Sequence, residues 1–217
     1  MSKPATSRTT VHLLRHGEVH NPQGVLYGRL PGYRLSAAGE EMAKVAAGWF
    51  AGRDITGLYS SPLERARQTV APLEAELGLV ATIEPRVIES ENVFEGSRVG
   101  IGDGVFRDPR RWWWLRNPFR PSWGEPYVQV ASRMLAAVED ARIENEGHEA
   151  VIVSHQLPIV VARRSAESRQ LWHRPDRRQC SLASITSLVF DGPTLLYTIY
   201  STPAAAVPTT QHVTVGA

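Results

Sequence analysis

The chain has 217 residues, 42% hydrophobic and 21% charged, with a formal net charge of +2; this excludes a disordered polar chain and suits one domain with a sizeable core. Its single cysteine, Cys180, excludes an intrachain disulfide framework and a cysteine zinc site. Residues 1–10 lack the apolar centre of a signal segment and no run approaches membrane-spanning length, so a soluble cytoplasmic protein without membrane partners is expected.

Residues 9–15 (Thr-Thr-Val-His-Leu-Leu-Arg) predict a strand that ends at a glycine. Residues 17–36, rich in Gly and Pro, predict a long ordered loop, a length usually kept for function. Ser36 can cap a helix that carries Glu40 and Glu41 in its first turn and runs to about Gly52. Gly57-Leu58-Tyr59-Ser60 reads as a short strand. Ser61-Pro62-Leu63-Glu64 has the form of a capping box with proline at the first helical position, so a helix is expected from there to about Gly78. A further strand is expected over 79–84. Residues 90–125 are irregular and rich in Gly, Arg, Trp and Pro; the segment 97–125 reads as an excursion from the core that folds over the active site.

Val130, Met134, Ala137, Val138 and Ala141 keep helical spacing and predict an amphipathic helix over 126–146. Ala150-Val151-Ile152-Val153-Ser154 is an apolar run suited to a buried parallel strand, followed by His155 and another helix. Residues 184–190 and 194–200, split by Asp191-Gly192, predict a hairpin. The alternation predicts an α/β fold: a three-layer α/β/α sandwich around a mostly parallel, mixed sheet, forming one domain over 1–202 with a flexible tail over 203–217. Ligands of such sheets bind beyond the carboxyl ends of the strands. Arg15-His16, the turn from Ser60 to Arg65, and His155 all fall there.

Those residue types suit phosphoryl transfer, which needs positive donors for nonbridging oxygens, an in-line nucleophile and a proton for the leaving oxygen. Arginine binds phosphate bidentately and stays charged. Neutral imidazole can form a phosphohistidine. A protonated carboxyl can serve as the acid, and Glu89, Glu91 and Glu95 lie in a loop after a strand.

Leu14-Arg15-His16-Gly17-Glu18 resembles the signature of the histidine phosphatase superfamily, the phosphoglycerate mutase-like family. Leu35-Ser36-Ala37-Ala38-Gly39 resembles its "LSxxG", and residues 60–69 resemble "SSPLxRAxQT". Glu89 with Phe94-Glu95-Gly96 resembles its acidic segment, and Val153-Ser154-His155 its "VSH" strand end. The resemblance spans about residues 9–200. It implies that His16 is the phosphorylated nucleophile, that Arg15, Arg65 and His155 cradle the phosphoryl oxygens, and that Glu89 is the proton donor. It implies a neutral phosphate contact from Asn21, with Gly28 in the same loop, and neither cofactor nor metal. Asn21 and Gly28 both sit one residue closer to His16 than is usual, as a one-residue deletion would place them. The acidic segment lacks its usual glycine before the aromatic, which leaves Glu91 open as an alternative to Glu89. Gln156 replaces the usual glycine after the second histidine, and its amide could donate to substrate.

Glu18 is expected to be a structural hydrogen-bond partner behind Arg15. Trp112-Trp113-Trp114 cannot all face one ligand and are expected to anchor the excursion; Arg107, Arg110, Arg111, Arg116 and Arg120 read as a solvated face with one or two plausible anion contacts. Arg174, Arg177 and Arg178 read as surface. No basic stripe on a nucleic-acid module is present, and the remaining histidines, among them His12, lack metal-ligand spacing. The expected partner is a small phosphorylated substrate, with oligomeric state open between monomer and homodimer. The leading function is a phosphatase; a phosphoglycerate mutase and a non-catalytic phospholigand-binding module are the alternatives.

Overall fold

The computed structural model describes residues 8–97 and 124–209. The excursion lies mostly outside them, so the tryptophan triplet and the arginines of 107–120 do too.

Six strands form one sheet: β1 (Thr9–Arg15), β2 (Ile55–Ser60), β3 (Thr82–Ile83), β4 (Glu149–Ser154), β5 (Ile185–Asp191) and β6 (Thr194–Ser201), in the order β3-β2-β4-β1-β5-β6. β3, β2, β4 and β1 are mutually parallel, while β5 and β6 are antiparallel additions. The helices of the described residues are α1 (Ala37–Phe50), α2 (Glu64–Leu77), α3 (Tyr127–Glu144) and α4 (Gln156–Ala166). The sheet is thus the mixed three-layer arrangement that the alternation predicted.

Side-chain alternation along β1 assembles the layers. Val11 and Leu13 point to the face covered by α3 and α4, where they pack with Val130, Met134, Val138 and Ile159. Leu14 points to the other face and packs with Ala46, Phe50, Val70 and Leu73 of α1 and α2. Each fully buried aliphatic of this kind contributes ~2 kcal/mol. The spaced apolar residues predicted for the helix after residue 126 are all buried.

This winding places the site. β1 leads into α1 on one face and its neighbour β4 leads into α4 on the other. The two connections diverge at the carboxyl ends of adjacent strands, which opens a crevice there.

Three local expectations differ. The strand foreseen over 79–84 shortens to Thr82–Ile83, because only those residues find partners, Tyr59 and Ser60, at the sheet edge. The helix foreseen from Ser61 starts at Glu64, and Leu63 at its N-cap position makes no side-chain cap. The tail does not loosen at Pro203: residues Pro203–Ala206 form a 3-10 turn, and Ala204 is buried against Met42 and Ala183.

Candidate active site

The site begins with a backbone crossing. A Cβ on Gly17 would collide with the carbonyl oxygen of Gly39, and a Cβ on Gly39 with that of Glu18. The loop leaving β1 and the first turn of α1 therefore touch main chain to main chain, which only glycine permits. Ser36 fixes the crossing. Its N–H donates to the Glu18 carbonyl (2.9 Å), its hydroxyl donates to Glu18 Oε1 (2.6 Å), and the same oxygen accepts from Gly39 N–H (3.1 Å) as the α1 cap. Glu18 is buried there, in keeping with a structural part. From α2, Thr69 Oγ1 accepts from Gly17 N–H (3.1 Å) and donates to the Arg65 carbonyl (2.7 Å).

His16 sits at this crossing, 1% exposed. Its Nδ1–H donates to the Gly17 carbonyl (2.8 Å), which puts the proton on Nδ1 and leaves the Nε2 lone pair available. Burial, then Arg65 and Arg15, hold its pKa well below the ordinary value, against only the Gly17 carbonyl. The balance is lopsided: a guanidinium ~5 Å away is worth ~3 kcal/mol at an effective dielectric of ~20, and a neutral hydrogen bond ~1 kcal/mol. His16 is thus a neutral imidazole among cations.

The arginines are held by carbonyls. Arg15 Nη1 donates to Cys180 O (2.7 Å) and Arg65 Nη2 to Gly28 O (2.6 Å). Arg65 also stands over the Tyr27 ring at 4.8 Å, and its Nε has no hydrogen-bond partner among the described residues. Gly28 is thus an anchor for Arg65. Its φ of +39° favours glycine, and the Glu95 carboxylate lies where a Cβ would be.

His155 is fully buried, with its ring centroid 5.1 Å from that of His16. Burial, Arg65, His16 and Arg15 keep it neutral as well. Its Nε2 bonds to Ser61 Oγ at 2.7 Å, and its Nδ1 is buried with no partner among the described residues. Ser61 also accepts weakly from Leu63 N–H (3.4 Å); when its own hydrogen goes to Nε2, the His155 proton lies on Nδ1. Ser61, read from sequence as a helix cap, is instead the brace of His155.

The acidic loop separates its carboxylates. Glu91 is exposed and ion-paired to Arg29 Nη1 (2.7 Å). Glu95 accepts from Arg29 N–H (3.0 Å) beside Gly28. The Glu89 carboxylate accepts from Ser90 N–H (2.8 Å) and acts electrostatically on Arg65, Tyr27 and Arg178. Arg29 Nε donates to the Glu89 carbonyl (2.6 Å) and Arg133 to those of Arg86 and Ile88, so two arginines pin the loop.

Asn21 closes a local turn: Nδ2 donates to Val25 O (2.8 Å) and Oδ1 accepts from Val25 N–H (3.0 Å). One expectation is corrected. Arg178 is not a surface residue like Arg174 and Arg177. It is partly buried, with Nε donating to His173 Nε2 (3.0 Å) and Nη1 to Gln156 Oε1 (3.3 Å). Gln156, first residue of α4, donates in turn to Cys180 O (3.4 Å), the carbonyl that holds Arg15. Tyr27, Ser61 and Thr69 are further parts of the site. Ser61 and Thr69 lay inside the motif of residues 60–69, but nothing local distinguishes a serine that caps from one that reaches a distant histidine.

A neutral histidine with one ring nitrogen left open, set between two arginines at a sheet crevice, suits a phosphate-handling class of protein. The chain belongs to the histidine phosphatase superfamily (branch 1), whose family model matches residues 11–198. The uncharacterized protein Rv0525 of Mycobacterium tuberculosis is 56% identical over 197 residues, 91% of this chain and 98% of its own length. Among solved structures, mycobacterial glucosyl-3-phosphoglycerate phosphatase Rv2419c in complex with VO3 is 26% identical with a TM-score of 0.69, covering 82% of this chain and 92% of that one. Mycobacterial hydrolase 2, at 22% identity, shares the fold with a TM-score of 0.74 over 94% and 93% of the two chains.

Proposed function

We propose that the protein is a phosphomonoesterase that hydrolyses a small phosphorylated metabolite through a phosphohistidine on His16. The observation that carries this reading is the state of His16: buried, neutral, with Nδ1 tied to a carbonyl and Nε2 open beside two arginines. In this reading Nε2 attacks phosphorus while the bond to the leaving oxygen breaks, and Glu89 supplies that oxygen's proton. Arg15, Arg65 and the His155 Nδ1–H hold the nonbridging oxygens and supply the charge neutralisation that a metal gives in other phosphoryl-transfer sites. Water then attacks the phosphohistidine, Glu89 takes its proton back, and inorganic phosphate leaves. The exposure and ion pair of Glu91 favour Glu89 for the proton.

The test is p-nitrophenyl phosphate hydrolysis by the wild type and His16→Ala, with a quench for an acid-labile phosphoprotein. The expected result is turnover and a phosphoenzyme that the variant lacks; equal turnover by both sinks the covalent mechanism. 3-Phosphoglycerate, with and without 2,3-bisphosphoglycerate, checks the mutase alternative: isomerisation outpacing phosphate release would overturn the phosphatase. Tight phosphate binding without turnover would mark a binding module.

A further inference from the structure

Arg178 is a partly buried charge that feels the Glu89 carboxylate without pairing with it. Among the described residues it forms no ion pair. Its acceptors among the described residues are both neutral: the Gln156 amide, and His173 Nε2. His173 spends its Nδ1–H on the Leu171 carbonyl (2.7 Å), and burial pushes its pKa down, so it accepts from Arg178 as a neutral ring. Burial, opposed by Tyr127 and Glu89 and assisted by Arg15, also pushes the Arg178 guanidinium below its ordinary value. An arginine stays charged even so, and a partly buried charge costs stability unless something opposite arrives. Its Nη2 makes no hydrogen bond to any described residue.

What lies in front of Arg178 is a cavity of about 400 Å³. Arg178, Gln156 and Arg15 line one part of it, while Met42, Leu182 and Ala204 line another. That volume suits a small metabolite. The apolar wall exists because the chain after Pro203 folds back onto α1 instead of leaving the domain. Arg15 lines this cavity and also acts electrostatically on His16, so the cavity borders the crevice through that residue.

We propose that Arg178, steered by Gln156 and His173, is the subsite for a second anionic group of the substrate, a carboxylate or further phosphate carried on the leaving-group side of the phosphomonoester. This assigns the substrate class: small phosphomonoesters with a second negative charge, whose carbon skeleton rests on the wall made by Met42, Leu182 and Ala204. The assignment deepens the phosphatase reading and rests on it for its kinetics. Its binding arm does not require turnover.

The test uses a matched pair, 3-phosphoglycerate and glycerol 3-phosphate, which differ by a carboxylate against a hydroxymethyl group. Wild type, Arg178→Met and Arg178→Lys are compared on both, with melting temperature as a check on folding. A hydrogen bond between charged groups predicts that Arg178→Met lowers kcat/KM for 3-phosphoglycerate by about 10- to 100-fold, mainly through KM. Glycerol 3-phosphate should change less than ~2-fold, and Arg178→Lys should restore part of the loss. An equal loss on both compounds, or a shifted pH profile with glycerol 3-phosphate, would mean that Arg178 serves the phosphoryl group or Glu89, and overturns the subsite. If wild type turns over neither compound, calorimetry on His16→Ala decides the matter separately. Preference for 3-phosphoglycerate that disappears in His16→Ala/Arg178→Met upholds the subsite while the phosphatase reading fails. No preference overturns it.

Discussion

Two buried histidines, four residues apart at β1, show how one residue type is made either structural or reactive. His12 lies within the strand, opposite Ser187 of β5. Both of its ring nitrogens are used, Nε2–H donating to Glu149 (2.9 Å) and Nδ1 accepting from Ser187 Oγ (2.8 Å). Trp49 and Phe50 close around it edge-on. His16 lies just past the strand end, where only Nδ1 finds the protein, and its neighbours are cations in place of a carboxylate. Burial holds both rings neutral. What separates them is whether the second nitrogen is already spent, and that depends on whether neighbouring strands continue alongside.

The largest effect that would sharpen this comparison is kinetic. His16→Ala should lower phosphomonoester turnover at least ~10⁴-fold with the fold intact, whereas His12→Ala should leave kcat within ~2-fold; a matched assay of the two variants checks it. Next comes Arg65→Lys. A lysine cannot both reach the Gly28 carbonyl and present a planar fork, so turnover should fall by about 10²-fold, and steady-state kinetics reads it. His12→Ala takes the third place as a stability change of ~3 kcal/mol, from a cavity and a stranded Ser187 hydroxyl; urea denaturation measures it, and a cost below ~1 kcal/mol would break the contrast.

Ring for ring, the smallest effect is on pH. His12, His16 and His155 all have lowered values in the fold, and the unfolded chain takes up their protons near pH 6.5. Below that pH the unfolded state binds more protons, so stability is complete above it and falls with acid. The slope is up to ~1.4 kcal/mol per pH unit for each ring. Glu149, held at about 2 chiefly by His12 and Arg53, extends the loss to lower pH. Urea midpoints at pH 7.5, 6.5 and 5.5 should decline in that order. His12→Leu should flatten the decline by about one ring's share.

Much of this was legible in the residues. A strand-like stretch ending at a glycine marked β1, 3.6-residue spacing marked α3, a continuous apolar run marked β4, and the Ser36 cap marked α1. The ordered motifs pointed to Arg15, His16, Arg65 and His155, and the structure brings all four to one crevice. Where reading failed, a long-range partner outbid a local rule. Ser61 fits a capping pattern yet serves His155, 94 residues away. Arg178 sits in a charged run and looks solvated, while its guanidinium turns inward to His173 and Gln156.

The sequence by itself determined the order of strands and helices, the glycines that let two backbones touch, and the residue types of phosphoryl chemistry. Those rest on local sterics and periodicity, which a linear chain displays. Only the tertiary structure decided which histidine keeps an open nitrogen, which glutamate lies near the arginines, and which arginine faces a cavity without an ion pair among the described residues. Those are properties of burial and of neighbours brought together from distant parts of the chain, and burial sets the cost of every charge.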